Sequence, residues 1–67
     1  METLGDALPK EIARVRTVLG YYKEVGPAGA FGAMMIERSL QRADKAVMGG
    51  DVVEMIAAYN DLKEIKD

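Results

Sequence analysis

Apolar residues recur at alternating steps of four and three through the first third of the chain, at Leu8, Ile12, Val15, Leu19 and Tyr22. That spacing sets them on one stripe of a helix. Asp6 stands where a helix cap is wanted and Pro9 would fall in the first turn, so residues 1–6 read as a frayed lead-in. The stripe ends near Val25, where Gly26-Pro27 breaks the helix and turns the chain. A second stripe follows at Gly29, Ala33, Ile36, Leu40, Ala43 and Val47 and stops at Gly49-Gly50. A third starts behind Asp51, with Glu54 three residues on as in a capping box, and carries Val52, Met55, Ile56, Tyr59 and Leu62. The pattern predicts helices at about 7–25, 27–48 and 51–65, with Lys63–Asp67 fraying. No segment alternates with period two.

Short connections between helices favour antiparallel neighbours. The predicted fold is an all-α, up-down-up three-helix bundle over one domain, residues 1–67. The rival is an extended helical hairpin that completes its core only by dimerising. Size bears on the choice, because 67 residues bury only about 60% of their unfolded surface and leave a marginal fold. With no Cys and no His, neither a disulfide nor an ordinary zinc site can staple it. Regular packing or a second chain must do so.

The middle helix shows more apolar surface than one core face needs. At about 100° per residue, Phe31, Met34 and Met35 lie opposite its inner stripe, and Arg38, Arg42 and Lys45 continue that outer face. One face thus has an apolar head and a basic tail. Either another part of the chain covers Phe31 and the two methionines, or a second chain docks there, with the three cations as its rim. Burying a Phe or Met side chain stabilises by roughly 1.5–3 kcal/mol, so the three are expected to be covered. The preferred partner is a second copy, giving a homodimer.

The run Gly26, Pro27, Gly29 and Gly32 admits three readings. Small residues four apart let another backbone approach closely. A phosphate cradle is disfavoured, since no Lys or Ser/Thr follows and no strand precedes. Alternatively the glycines loosen the first turns, and the helix begins near Ala30.

Charge narrows the function classes further. The net charge is -2, and a dedicated nucleic-acid binder is usually basic. The first helix carries Lys10, Arg14, Arg16 and Lys23 against Glu11 and Glu24. The third carries Asp51, Glu54, Asp61, Glu64 and Asp67 against Lys63 and Lys66. In a helix-turn-helix of the last two helices the reading helix would be the acidic one, which is wrong for phosphates. The stripe Arg38, Arg42, Lys45 is the better nucleic-acid candidate, but three charges support only weak, salt-sensitive binding. Catalysis has little material. Ser39, the only serine, has no base near it in sequence, and Glu37 and Asp44, which could bracket a metal, sit beside Arg38 and Lys45. No enzyme activity and no cofactor are expected. The longest uncharged stretch, 25–36, is too short for a membrane span. The opening Met-Glu-Thr-Leu-Gly-Asp has no apolar signal core, so the expected setting is the cytoplasm.

The stretch from Leu19 to Ala33, with Gly20-Tyr21-Tyr22-Lys23-Glu24-Val25 running into the glycines, resembles small uncharacterised helical proteins of bacteriophages and prophages. Ile36-Glu37, Arg42–Ala46, Gly50-Asp51 and Met55 continue the likeness. It implies a bacterial or viral cytoplasmic protein and assigns no site residue.

Overall fold

The computed structural model describes residues 2–67. It contains three helices, α1 (Leu4–Glu24), α2 (Ala30–Gly49) and α3 (Val52–Lys63), with a 3-10 turn, Gly26–Gly29, between the first two. No strand occurs among the described residues. The fold is the all-α three-helix bundle, up-down-up.

α1 begins earlier than its apolar stripe. Thr3, not Asp6, is the cap: its hydroxyl accepts the Asp6 N–H at 3.3 Å, and the Asp6 carboxylate accepts from the Thr3 backbone N–H at 3.5 Å and from the Thr3 hydroxyl at 3.0 Å. This reciprocal box satisfies donors that a helix start otherwise leaves bare, so residues 4–6 are helical rather than frayed; residue 1 lies outside the described residues. Pro9 consequently sits inside the helix. Its missing N–H leaves the Gly5 carbonyl unbonded within the helix, a tolerable loss because Gly5 is exposed to water.

The turn into α2 uses Gly26 at φ +79°, a left-handed conformation that other residues adopt at a cost. The chain then makes one 3-10 turn through Pro27, and α2 begins at Ala30 rather than at Pro27. Gly50 closes α2 at φ +67°, its N–H reaching the Ala46 and Val47 carbonyls. Asp51 caps α3 by accepting from the Val53 and Glu54 N–H groups at 3.0 and 3.3 Å.

Two ion pairs fix the relative direction of α1 and α2. Lys23 meets Glu37 and Arg16 meets Asp44, each at 3.3 Å. A step of seven residues along α1 is matched by seven in reverse along α2, as antiparallel helices require. These carboxylates therefore answer cations of α1, not Arg38 and Lys45 of their own helix.

The core is built from Leu8, Ile12, Val15 and Val18 of α1, Ile36, Leu40, Ala43 and Ala46 of α2, and Ala58 and Leu62 of α3. Four expected members differ. On α1, Val18 is buried and Tyr22 is not. On α2, Ala46 is buried in place of Val47, because the core turns toward α3 at that end and only a small side chain allows the close approach. On α3, Val52 and Ile56 are exposed, and Met55, Ala58, Tyr59, Leu62 and Ile65 face inward. α3 ends at Lys63 rather than near residue 65, and residues 64–67 leave the helix while keeping contact with the bundle. Ile65 packs on the core, and Arg14 donates to the Leu62 carbonyl at 3.0 Å while pairing with Glu11 and Asp67. The hydrogen bond that Arg14 donates to the Glu11 carboxylate is the largest cause that holds its guanidinium above the ordinary pKa, against desolvation.

Candidate functional face

α3 has 12 residues, about 18 Å at 1.5 Å per residue. Its C-terminal end reaches only the level of Arg14, as the Arg14–Leu62 bond shows. α1 continues for a further ten residues to Glu24, so the α1–α2 hairpin projects past α3. That projecting end carries Tyr21, Tyr22, Val25, Phe31, Met34 and Met35, all exposed.

Phe31 is 71% exposed, Met34 46% and Met35 47%. The expectation that these three are covered is not met within the chain: neither α3 nor the N-terminal segment reaches them. Arg38, Arg42 and Lys45 are exposed along the same face. None of the three takes part in an ion pair among the described residues. The outer face of α2 is therefore an apolar head followed by three cations, with none of the described residues lying on it or pairing with it.

The glycines position this head. A Cβ on Gly29 would stand 2.2 Å from the Tyr22 carbonyl oxygen, and one on Gly32 would stand 2.5 Å from the Tyr22 ring. α2 starts flush against α1, and the Tyr22 ring lies over Gly32. Small residues here fix where Phe31 and Met35 emerge.

A second apolar area lies at the far end of the bundle, where Val47, Met48, Val52, Val53 and Ile56 are exposed. Spacing alone places Val47, Val52 and Ile56 on the inner stripes and so hides this surface. The available signal was that α3 is apolar on two sides, with Val53 off the stripe. Between α1 and α2 a shallow groove runs past Pro9, Ile12 and Ala13, bridged by the Arg16–Asp44 pair.

Every buried side-chain polar atom has a partner, and no group of three or more metal-ligating side chains exists among the described residues. Glu37 and Asp44 are each engaged by a cation of α1. No helix among the described residues is long and apolar enough to cross a membrane. Comparisons of the chain with protein-family models, with curated proteins and with solved structures gave no match.

Proposed function

We propose that this chain is a non-enzymatic protein-binding module that works through the outer face of α2, and that it binds a second copy of itself as a homodimer. The exposure of Phe31, Met34 and Met35 at the projecting end of the hairpin carries this reading. A contiguous apolar head rimmed by charge is the common form of a docking surface, and methionine adapts to the shape of what it meets. The setting we propose is a bacterial cytoplasm, with a phage or prophage as the source; the resemblance of Leu19–Ala33 alone supports that setting.

Sedimentation equilibrium is expected to show a mass that rises with concentration in the micromolar range. The double substitution Phe31→Asp, Met35→Asp should weaken association by roughly 100-fold or more, from the loss of two apolar anchors. Because both positions are exposed, folding of the isolated chain should change by less than about 1 kcal/mol. A monomer at all concentrations would remove self-association. An unaltered oligomer in the double variant would place the interface elsewhere.

The cationic stripe Arg38, Arg42, Lys45 favours one second reading, a small nucleic-acid-associated regulator. With three phosphate contacts, log K would fall against log[salt] with a slope of about -3, and Arg42→Glu would weaken binding to every sequence alike. No mobility shift of duplex or single-stranded DNA or RNA at low salt would dispose of this reading.

A further inference from the structure

The exposed face of α3, continued through its C-cap Glu64, repeats the first five positions of the outer face of α2, with the charge reversed. Phe31, Met34, Met35, Arg38, Arg42 and Lys45 are spaced by three, one, three, four and three residues. Val53, Ile56, Ala57, Asn60 and Glu64 have the spacing of the first five; the sixth position, Asp67, lies beyond the helix and pairs with Arg14 of its own chain. In both sets the first members are apolar and the later ones polar. On α2 the polar part is basic; on α3 it is neutral, then acidic. Val53 is 73% exposed and Ile56 48%, Asn60 and Glu64 are exposed, and Ala57 is half-buried. Like Arg38 and Arg42, Glu64 takes part in no ion pair among the described residues.

We infer that the occupant of the α2 face is the α3 face of a second copy, laid parallel to it. Parallel alignment sets Phe31 against Val53 and Met34 against Ile56 of the other copy, and brings Arg42 to Glu64. Antiparallel alignment would set the cations on Val53 and Ile56, and Phe31 on Glu64, so charge and apolarity select one direction. Within one chain α2 and α3 run in opposite senses. A two-fold axis across the bundle therefore makes α2 of one copy parallel to α3 of the other, and makes the contact reciprocal. Phe31 and Met34 at one end of a molecule 37 Å long, and Val53 and Ile56 at the other, are then covered in one arrangement. This rests on the self-association proposed above and names the surface that meets the α2 face.

The test uses two double variants with all changes at exposed positions, Arg38→Glu with Arg42→Glu, and Asn60→Lys with Glu64→Lys. Each variant alone sets like charges opposite one another and should self-associate roughly tenfold or more weakly than the wild type. An equimolar mixture restores opposite charges at both contacts and should regain wild-type association in sedimentation equilibrium at low salt. Helicity by circular dichroism checks that each variant remains folded. If the wild type dimerises but either variant alone associates as tightly, or the mixture fails to recover, α3 is not the mate and self-association stands by another surface. If the wild type is only monomeric, self-association itself fails and this pairing with it.

Discussion

Leu62→Ala is expected to destabilise the fold by about 2–5 kcal/mol, the range for truncating a fully buried leucine. Leu62 has no solvent exposure, and Ala58 is the only other fully buried residue of α3. The side chain thus carries much of the docking of α3 onto α1 and α2, and Arg14 grips the backbone carbonyl of the same residue. A domain of this length has a total stability of only about 3–10 kcal/mol. The variant should therefore lose much of its cooperative unfolding transition at 25 °C or melt more than about 10 °C lower. Ile56→Ala, six residues earlier on the exposed side of α3, should change folding of the isolated chain by less than about 0.5 kcal/mol. Urea titration at one low protein concentration checks both, since association would otherwise shift the midpoints. Similar losses for the two variants would mean that α3 presents the wrong face to the core.

That pair of residues also shows where the sequence is legible and where it is not. The number, order and breaks of the helices follow from local chemistry: Gly26-Pro27, Gly49-Gly50 and the Asp51 cap each act on the backbone beside them, whatever the rest of the fold does. The phase of α3 does not follow. Val52, Val53 and Ile56 are as apolar as Met55, Ala58 and Leu62, so periodicity alone admits two inner faces, and only the position of α1 and α2 chooses between them. The same holds for Ala46 and Val47 on α2, where closeness to α3 favours the smaller residue for burial. At the start of α1 the signal was present in Thr3 and Asp6, three apart, but the apolar stripe begins only at Leu8 and drew the expected boundary inward. The outer face of α2 was legible as a pattern of residue types. Its exposure was not, because that depends on α3 ending at the level of Arg14, a length of helix that no residue of α2 reports.

Gly29→Ala and Gly20→Ala are expected to move stability in opposite directions. Gly20 lies inside α1 with nothing within 4 Å of the space a Cβ would take. Alanine there restricts the unfolded chain and suits the helix, so Gly20→Ala should stabilise by about 0.5–1 kcal/mol. Gly29 has φ -95° and ψ 0°, which alanine also adopts without strain, and on backbone grounds the same gain would follow. The difference is contact. The new carbon would lie 2.2 Å from the carbonyl oxygen of Tyr22 and 3.1 Å from its carbon. Those atoms belong to the backbone of α1 and cannot swing away as a side chain does. The 3-10 turn must lift from α1, carrying the start of α2 with it, at a cost of about 1–3 kcal/mol for an overpacked contact. The net effect should be destabilising. Lifting the turn also displaces Phe31, two residues on, so Gly29→Ala should weaken self-association at protein concentrations where Gly20→Ala leaves it unchanged. Denaturant midpoints with unaltered slopes separate the two stabilities, and sedimentation of the same samples reads the association. Equal stabilisation by both substitutions would show that α1 and the turn are not in contact at Tyr22, and would remove the physical reason for glycine at position 29.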